Sequence, residues 1–151
     1  MRNFMRGIAL LSLAVPLFAV DPFVGTWKLD PKDTKYTEGT PPKDVTLVIE
    51  AEGANLRIRA TGTYADGSPL SVKYTVPARG GAANVEEGQF DAMTAKRVSD
   101  RERINTYTKG GKQVMTRRFV VSKDGKELTE TLKGTDAQGN PVSGVDRFDR
   151  Q

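Results

Sequence analysis

The sequence predicts an all-β domain, an antiparallel up-and-down meander of eight to ten strands closing into a barrel. Three observations lead there. Beyond the first 19 residues only about a third of the chain is hydrophobic, lean for a helical or doubly wound core. Short alternating apolar and polar runs recur every dozen residues or so between Gly, Asp, Asn and Pro. No segment reads as a helix, although residues 31–44 leave room for a short one.

Residues 1–19 read as an address rather than as structure. Arg2 and Arg6 precede an apolar run over residues 8–18 that ends in Leu17-Phe18-Ala19, the pattern of a secretory signal peptide. The run falls short of the roughly 20 residues that a membrane span needs, and nothing later in the chain offers one. Residues 20–151 are then one domain, a length that needs no second core. No Cys follows the apolar run, which excludes a lipid anchor, and export without cysteine fits a bacterial periplasm or exterior.

Nine strands follow in order. Residues 24–30 open the domain, and a polar connection through Pro41-Pro42 leads to 45–51 and 56–64. Next come 70–76 and 90–98, then 103–108, 113–122, 128–135 and 142–150. Glu52-Gly53, Asp66-Gly67, Gly110-Gly111 and Asp124-Gly125 supply the left-handed backbone that tight hairpins demand. A meander of this kind removes its exposed edges by closing, and eight to ten strands leave an interior filled by side chains or holding one small ligand.

Composition narrows the chemistry. The 151 residues contain no His and no Cys, so a thiol nucleophile, a disulfide, an imidazole base and a His or Cys metal site are all excluded. Without the leader, 21 basic side chains face 19 acidic ones, too even a balance to argue for nucleic acid. Glu86-Glu87 sits in a Gly-rich loop, and Asp30, Asp33 and Asp44 lack the spacing of a calcium loop. The expectation is a protein that is not an enzyme and carries neither cofactor nor metal.

The chain also repeats itself. Residues 47–74 align without a gap to 119–146, with nine identities in 28 positions. The alternative source of the match is convergent turn chemistry, since Gly and Pro supply four of the nine. Taken as a repeat, it sets which side chains face inward. Leu47, Ile49, Leu56, Ile58, Leu70, Val72 and Val76 form the apolar face of the first copy, with Val45 and Tyr74 on the same side. Their counterparts include Phe119, Val121, Leu128, Glu130, Val142 and Phe148, and the same parity turns Arg117 and Asp146 inward. A turn at Asp124-Gly125 sets Phe119 opposite Glu130 and leaves Arg117 on the diagonal.

Charges inside a barrel are costly unless paired or hydrated. Arg117, Glu130 and Asp146 therefore pose three alternatives: a bulge that slips the register and turns a charge to solvent, an internal ion pair, or a wet cavity anchoring a ligand. Arg117 would suit a carboxylate or phosphate head, to which its fork donates two parallel hydrogen bonds. Lys96, Arg97, Arg101 and Arg103 form a basic cluster, with Arg103 expected to point outward opposite Arg118 across the Gly110-Gly111 hairpin.

The opening Asp21-Pro22-Phe23-Val24-Gly25-Thr26-Trp27-Lys28-Leu29 resembles the first strand of the calycin group, the lipocalins and fatty-acid-binding proteins. The chain is also similar to small exported bacterial lipocalin-like proteins of unassigned activity in its Gly-Thr-Trp start, its Lys-Asp-Gly-Lys turn at 123–126 and its Gly-Thr-Asp-x-x-Gly stretch at 134–139. The resemblance implies a lipocalin-like barrel plugged by Gly25 and Trp27, with Arg147 or Arg150 packed over the indole. Two departures bear on function. Residues 31–44 are too few for the helical pair of fatty-acid-binding proteins, and Arg147-Phe148-Asp149 stands where those proteins carry Arg-x-Tyr.

The functional expectation is an exported, non-enzymatic, monomeric protein without a membrane span, holding a small hydrophobic, amphipathic or anionic ligand inside its barrel. Arg117 is its expected anchor, Tyr74, Glu130 and Asp146 the polar surroundings, and Phe119 and Phe148 part of the apolar wall. The alternative is a surface-binding module, inhibitor-like, for a protein or an envelope polymer. A void of roughly 300 Å³ separates the two, since a carrier needs one and a surface binder can have a filled barrel.

Overall fold

A computed structural model describes residues 19–151. The segment expected to be a signal peptide lies outside them except for Ala19. Twelve strands and no helix are present among the described residues: Gly25–Leu29 (β1), Lys35–Glu38 (β2), Asp44–Glu52 (β3), Asn55–Thr63 (β4), Pro69–Pro77 (β5), Gly80–Ala82 (β6), Asn84–Glu87 (β7), Ala92–Ser99 (β8), Glu102–Lys109 (β9), Lys112–Val121 (β10), Glu127–Thr135 (β11) and Pro141–Arg150 (β12). The nine long strands are those the sequence predicts. The three short ones, β2, β6 and β7, are too brief and too polar or glycine-rich to show an alternating pattern, and they owe their strand form to the neighbours they pair with.

All pairings are antiparallel, in the order β6-β8-β9-β10-β11-β12-β1-β3-β4-β5-β7. The ends of the domain meet where Trp27 pairs with Arg150 and Leu29 with Phe148. Residues 30–34 interrupt this edge without forming a helix, and β2 resumes along the same strand with Tyr36 opposite Gly144. The sheet curls into a nearly closed barrel whose seam lies between β5 and β8, where β7 adds to one side and β6 to the other.

The repeat is structural. The β4/β5 and β11/β12 ladders have the same register at an offset of 72, from Asn55↔Pro77 to Thr63↔Pro69 and from Glu127↔Asp149 to Thr135↔Pro141. Their turns match as well: Tyr64 N–H donates to Ser68 O at 2.9 Å as Asp136 N–H does to Asn140 O at 2.9 Å. The preceding hairpins differ by two residues, Leu47 facing Ala60 while Phe119 faces Glu130. A shift of two leaves every side chain on its own face.

Gly62 and Gly134 are repeat equivalents and share a packing role. A Cβ on either would overlap a backbone carbonyl oxygen of the preceding strand, that of Asp44 or Val114, so only glycine permits so close an approach. At the β9/β10 hairpin, Gly110 and Gly111 have φ of 57° and 77°, the left-handed pair that a two-residue turn between Lys109 and Lys112 requires.

The core runs through the barrel. Leu29, Phe148, Leu128 and Val121 form one buried row across β1, β12, β11 and β10, and Trp27 beside it is 0% exposed. Burying an aliphatic or aromatic side chain of this kind is worth about 1.5–3 kcal/mol. Arg150 closes this end. Its guanidinium carbon lies 4.1 Å from the centre of the Trp27 ring, and its nitrogens donate to the carbonyls of Pro22, Val24 and Gly125 at 2.6–2.8 Å. A side chain on Gly25 would overlap that guanidinium, while Trp27 Nε1–H donates to Phe23 O at 2.9 Å.

One expectation is overturned by a bulge. The β9/β10 ladder starts in the predicted register, Gln113 opposite Thr108, and then slips between Gln113 and Met115. Beyond the slip Arg118 faces Ile104, and Arg103 faces Phe119 instead of Arg118. Arg103, Asn105 and Tyr107 therefore point into the barrel, and Arg103 is buried rather than part of an outward basic face. Arg97 turns away from that face too and ion-pairs with Asp21 at 2.6 Å, which dissolves the predicted cluster.

Candidate functional site

The interior divides into an apolar compartment and a polar layer. Leu47, Ile49, Leu56, Ile58 and Val76 supply the aliphatic wall of the compartment because β3, β4 and β5 present strictly alternating side chains to one face. Phe23 and Phe119 line it as well. The cavity it encloses has a volume of about 40 Å³. The unaltered space thus suits a water or two, and an organic ligand enters only if the walls move.

Three polar side chains reach this compartment: Tyr74, Arg103 and Asn105. Asn105 Nδ2 lies 3.4 Å from Tyr74 Oη and 3.3 Å from Tyr107 Oη, while its Oδ1 has no partner. Arg103 is 4% exposed. Its Nη2 donates to Pro77 O at 3.1 Å and its Nη1 is buried without a partner. Phe23 lies beneath two guanidiniums, those of Arg97 and Arg103, at 5.5 and 5.7 Å from its ring centre. Asp21, the acid nearest this pair, is taken by Arg97 and by the Phe23 N–H. Burial first, then the Arg97 charge, pulls the Arg103 guanidinium below the ordinary arginine value, against the pull of Asp21.

The polar layer holds the charges that the repeat turned inward. Arg117 ion-pairs with Glu130 and places its guanidinium 5.6 Å from the Tyr107 ring centre, with 35% of its side chain exposed. Desolvation opposes the Arg117 charge, but Glu130 and Tyr107 outweigh it and hold the pKa above the usual arginine value. Glu130 pairs across the ladder with Asp146, and both are buried. Asp146 accepts a hydrogen bond from Tyr36 Oη at 3.0 Å through one oxygen, and its other oxygen has no partner. Burial, followed by the Glu130 charge, pushes the Asp146 carboxyl up to about 7, against Arg117 and the Tyr36 hydrogen bond. Tyr36 is admitted by Gly144, where a Cβ would overlap its ring.

Of the residues singled out in the sequence, Tyr74 and Phe119 line the compartment. Arg117, Glu130 and Asp146 come together in the polar layer, with the Arg117–Glu130 contact realising the internal pair. Phe148 is placed in the packed row and does not line the compartment. Sequence reasoning put Arg103 in an outward basic cluster, met Phe23 only as part of the opening motif, and passed over Asn105, Tyr107 and Tyr36. In the run Arg103-Ile104-Asn105-Thr106-Tyr107, alternation alone points Ile104 inward, and no local signal announces the bulge that reverses it.

No family profile and no curated protein matches the sequence. Among solved structures, the fold is similar to that of zebrafish ileal bile acid-binding protein complexed with cholic acid. The TM-score is 0.51 at 14% identity, over 86% of this chain and 99% of that one. The redesigned β-barrel mFAP1 bound to DFHBI follows at 0.45 and 17% identity, over 85% of this chain and 95% of that one. Apocrustacyanin C2 matches at 0.45 and 14% identity, over 87% of this chain but 62% of its own. With β1 joined to β12 and Trp27 plugging the adjoining end, the chain has the calycin-type barrel fold that its Gly-Thr-Trp opening predicts.

Proposed function

We propose that this protein is an exported, non-enzymatic, monomeric carrier that binds one small amphipathic molecule inside its barrel. The observation that carries the reading is the apolar compartment walled by Leu47, Ile49, Leu56, Ile58 and Val76, with polar atoms of Tyr74, Arg103 and Asn105 at its edge. An apolar enclosure with a few convergent polar groups is the general form of a small-molecule site. A zebrafish barrel of this fold is complexed with cholic acid. The fold does not transfer that ligand, and the support here comes from the interior itself. In this reading Tyr74 and Phe119 touch the ligand, while Arg117, Glu130 and Asp146 form the polar surroundings above it.

The same interior favours one other reading. A cavity of about 40 Å³ falls short of the roughly 300 Å³ that a carrier needs unless its walls move, which suits a filled barrel whose outer surface binds a protein or envelope polymer. Native mass spectrometry of the mature protein from its own envelope extract, set against the denatured mass, separates the two. The carrier reading expects a reproducible adduct of a few hundred daltons that is lost on denaturation. A mass equal to that of the polypeptide, with no shift on incubation with amphipathic compounds, removes the carrier and leaves the surface module.

A further inference from the structure

Two guanidiniums, those of Arg97 and Arg103, flank Phe23, and a single carboxylate, that of Asp21, stands beside them. Arg97 takes that carboxylate, and Arg103 makes no ion pair among the described residues. Arg103 Nη2 donates to Pro77 O, while its Nη1 is buried without an acceptor. A buried charge is tolerated when it is paired and fully hydrogen-bonded. This end of the compartment therefore keeps both an uncompensated positive charge and an unused donor.

Asn105 lies two residues along the same strand face and lines the compartment too. Its Nδ2 stands 3.3 Å from the Tyr107 hydroxyl and 3.4 Å from that of Tyr74, long for hydrogen bonds, and its Oδ1 has no donor. Each hydroxyl carries a proton it can donate, so the amide turned half a rotation about its last bond is the better bonded one. Oδ1 then accepts from a hydroxyl, and Nδ2 moves to the side where Oδ1 stood. Arg103 Nη1 and Asn105 Nδ2 become two donors to one compartment, and no acid is among the residues that line it.

We infer that this polar end of the compartment is a halide site, holding one chloride-sized anion between Arg103 Nη1 and the turned Asn105 Nδ2. Size sets the class of anion. About 40 Å³ has room for one monatomic ion, little larger than a water, whereas a polyatomic anion brings atoms for which the walls of Leu56, Ile58 and Val76 leave no space. Charge separates the anion from a water, because only the anion neutralises the guanidinium that Asp21 leaves unpaired. Arg117 offers no second site of this kind, since Glu130 already holds it. The site is independent of the carrier reading and stands whether or not the barrel carries an organic molecule.

Urea unfolding between about 1 and about 300 mM chloride, with gluconate holding the ionic strength constant, tests the site by linkage, because an anion bound only by the folded state raises the midpoint. The expected midpoint rises with the logarithm of chloride, and bromide acts likewise. Crystals grown in bromide should show an anomalous peak within hydrogen-bond distance of Arg103 Nη1. In Arg103→Met that peak should vanish and the apparent chloride affinity fall by more than about tenfold.

Asn105→Asp decides the matter should Arg103→Met not fold. It sets a carboxylate beside Arg103, supplies the missing acid, and should give a folded protein indifferent to chloride. A chloride effect that survives in Asn105→Asp overturns the site. So does a wild-type midpoint that stays put as chloride replaces gluconate. Bromide peaks confined to the outer surface mean an adventitious ion only, and ordered solvent in the compartment without anomalous signal means that water is the occupant; either result overturns the site as well.

Discussion

Tyr36 on β2 donates its hydroxyl hydrogen bond to Asp146 on β12 at 3.0 Å, joining residues 110 positions apart beside an ion pair. Asp146 faces Glu130 across the ladder, and Arg117 holds Glu130. A buried carboxyl flanked by a second carboxylate resists ionisation, and the Asp146 value of about 7 follows from that placement.

The first prediction is a stability that falls as pH rises. Unfolded, Asp146 titrates at its ordinary value near 3.8; folded, at about 7. Between those values the folded state holds a proton that the unfolded state has released. The resulting stabilisation is complete below about 4 and is lost as pH rises through 7, by at most on the order of 4 kcal/mol. Urea midpoints at pH 5 and pH 8 should differ more for the wild type than for Asp146→Asn. Equal differences in the two proteins would refute the assignment.

A second prediction concerns Glu130. In Glu130→Gln the negative charge that raises Asp146 is gone and Arg117 is released to act on Asp146. The Asp146 carboxyl should then titrate at lower pH, visible as a downward move of its ¹³Cγ titration curve. The variant also leaves a partly exposed guanidinium without its acid, at a cost of about 1–3 kcal/mol. An unmoved curve would mean that burial alone sets the value.

Arg150 offers a third. The carbonyls of Pro22 and Val24 and the Trp27 ring tie the last strand to the N-terminal segment, and the carbonyl of Gly125 ties it to the β10/β11 turn. Truncation in Arg150→Ala should cost about 2–4 kcal/mol in urea unfolding, with an unchanged denaturant slope. Lys cannot reproduce the planar contacts, so Arg150→Lys should recover only part of the loss.

The repeat glycines give the fourth. Gly62→Ala and Gly134→Ala should each cost about 2 kcal/mol or more, because the added carbon meets backbone that cannot swing aside. Gly53→Ala, in open space but at a φ of 60°, should cost about 1 kcal/mol. Thermal unfolding of the three variants side by side checks the ranking.

Alternation and turn glycines were enough to read the nine long strands and the closure into a barrel, and the internal repeat pointed Arg117, Glu130 and Asp146 inward as one of three alternatives that the sequence left open. All of these depend on local periodicity or on a copy of it within the chain, and both are visible in one dimension. The facing of β9 was not legible, because it depends on a one-residue slip at Gln113–Met115 that reverses every side chain opposite it. β2, β6 and β7 were hidden for a related reason, since such short polar segments become strands only when a distant strand supplies their hydrogen bonds. Which arginine carries an acid and which does not was likewise settled only in three dimensions. The turn at Asp124-Gly125 already set Arg117 on the diagonal from Glu130, but nothing local brings Arg97 to Asp21, 76 positions away, or shows that Arg103 has no acid. The sequence by itself determined an antiparallel barrel, because alternation and turn chemistry are local; only the tertiary structure decided that charge lies inside it and that Arg103 is buried there without an acid.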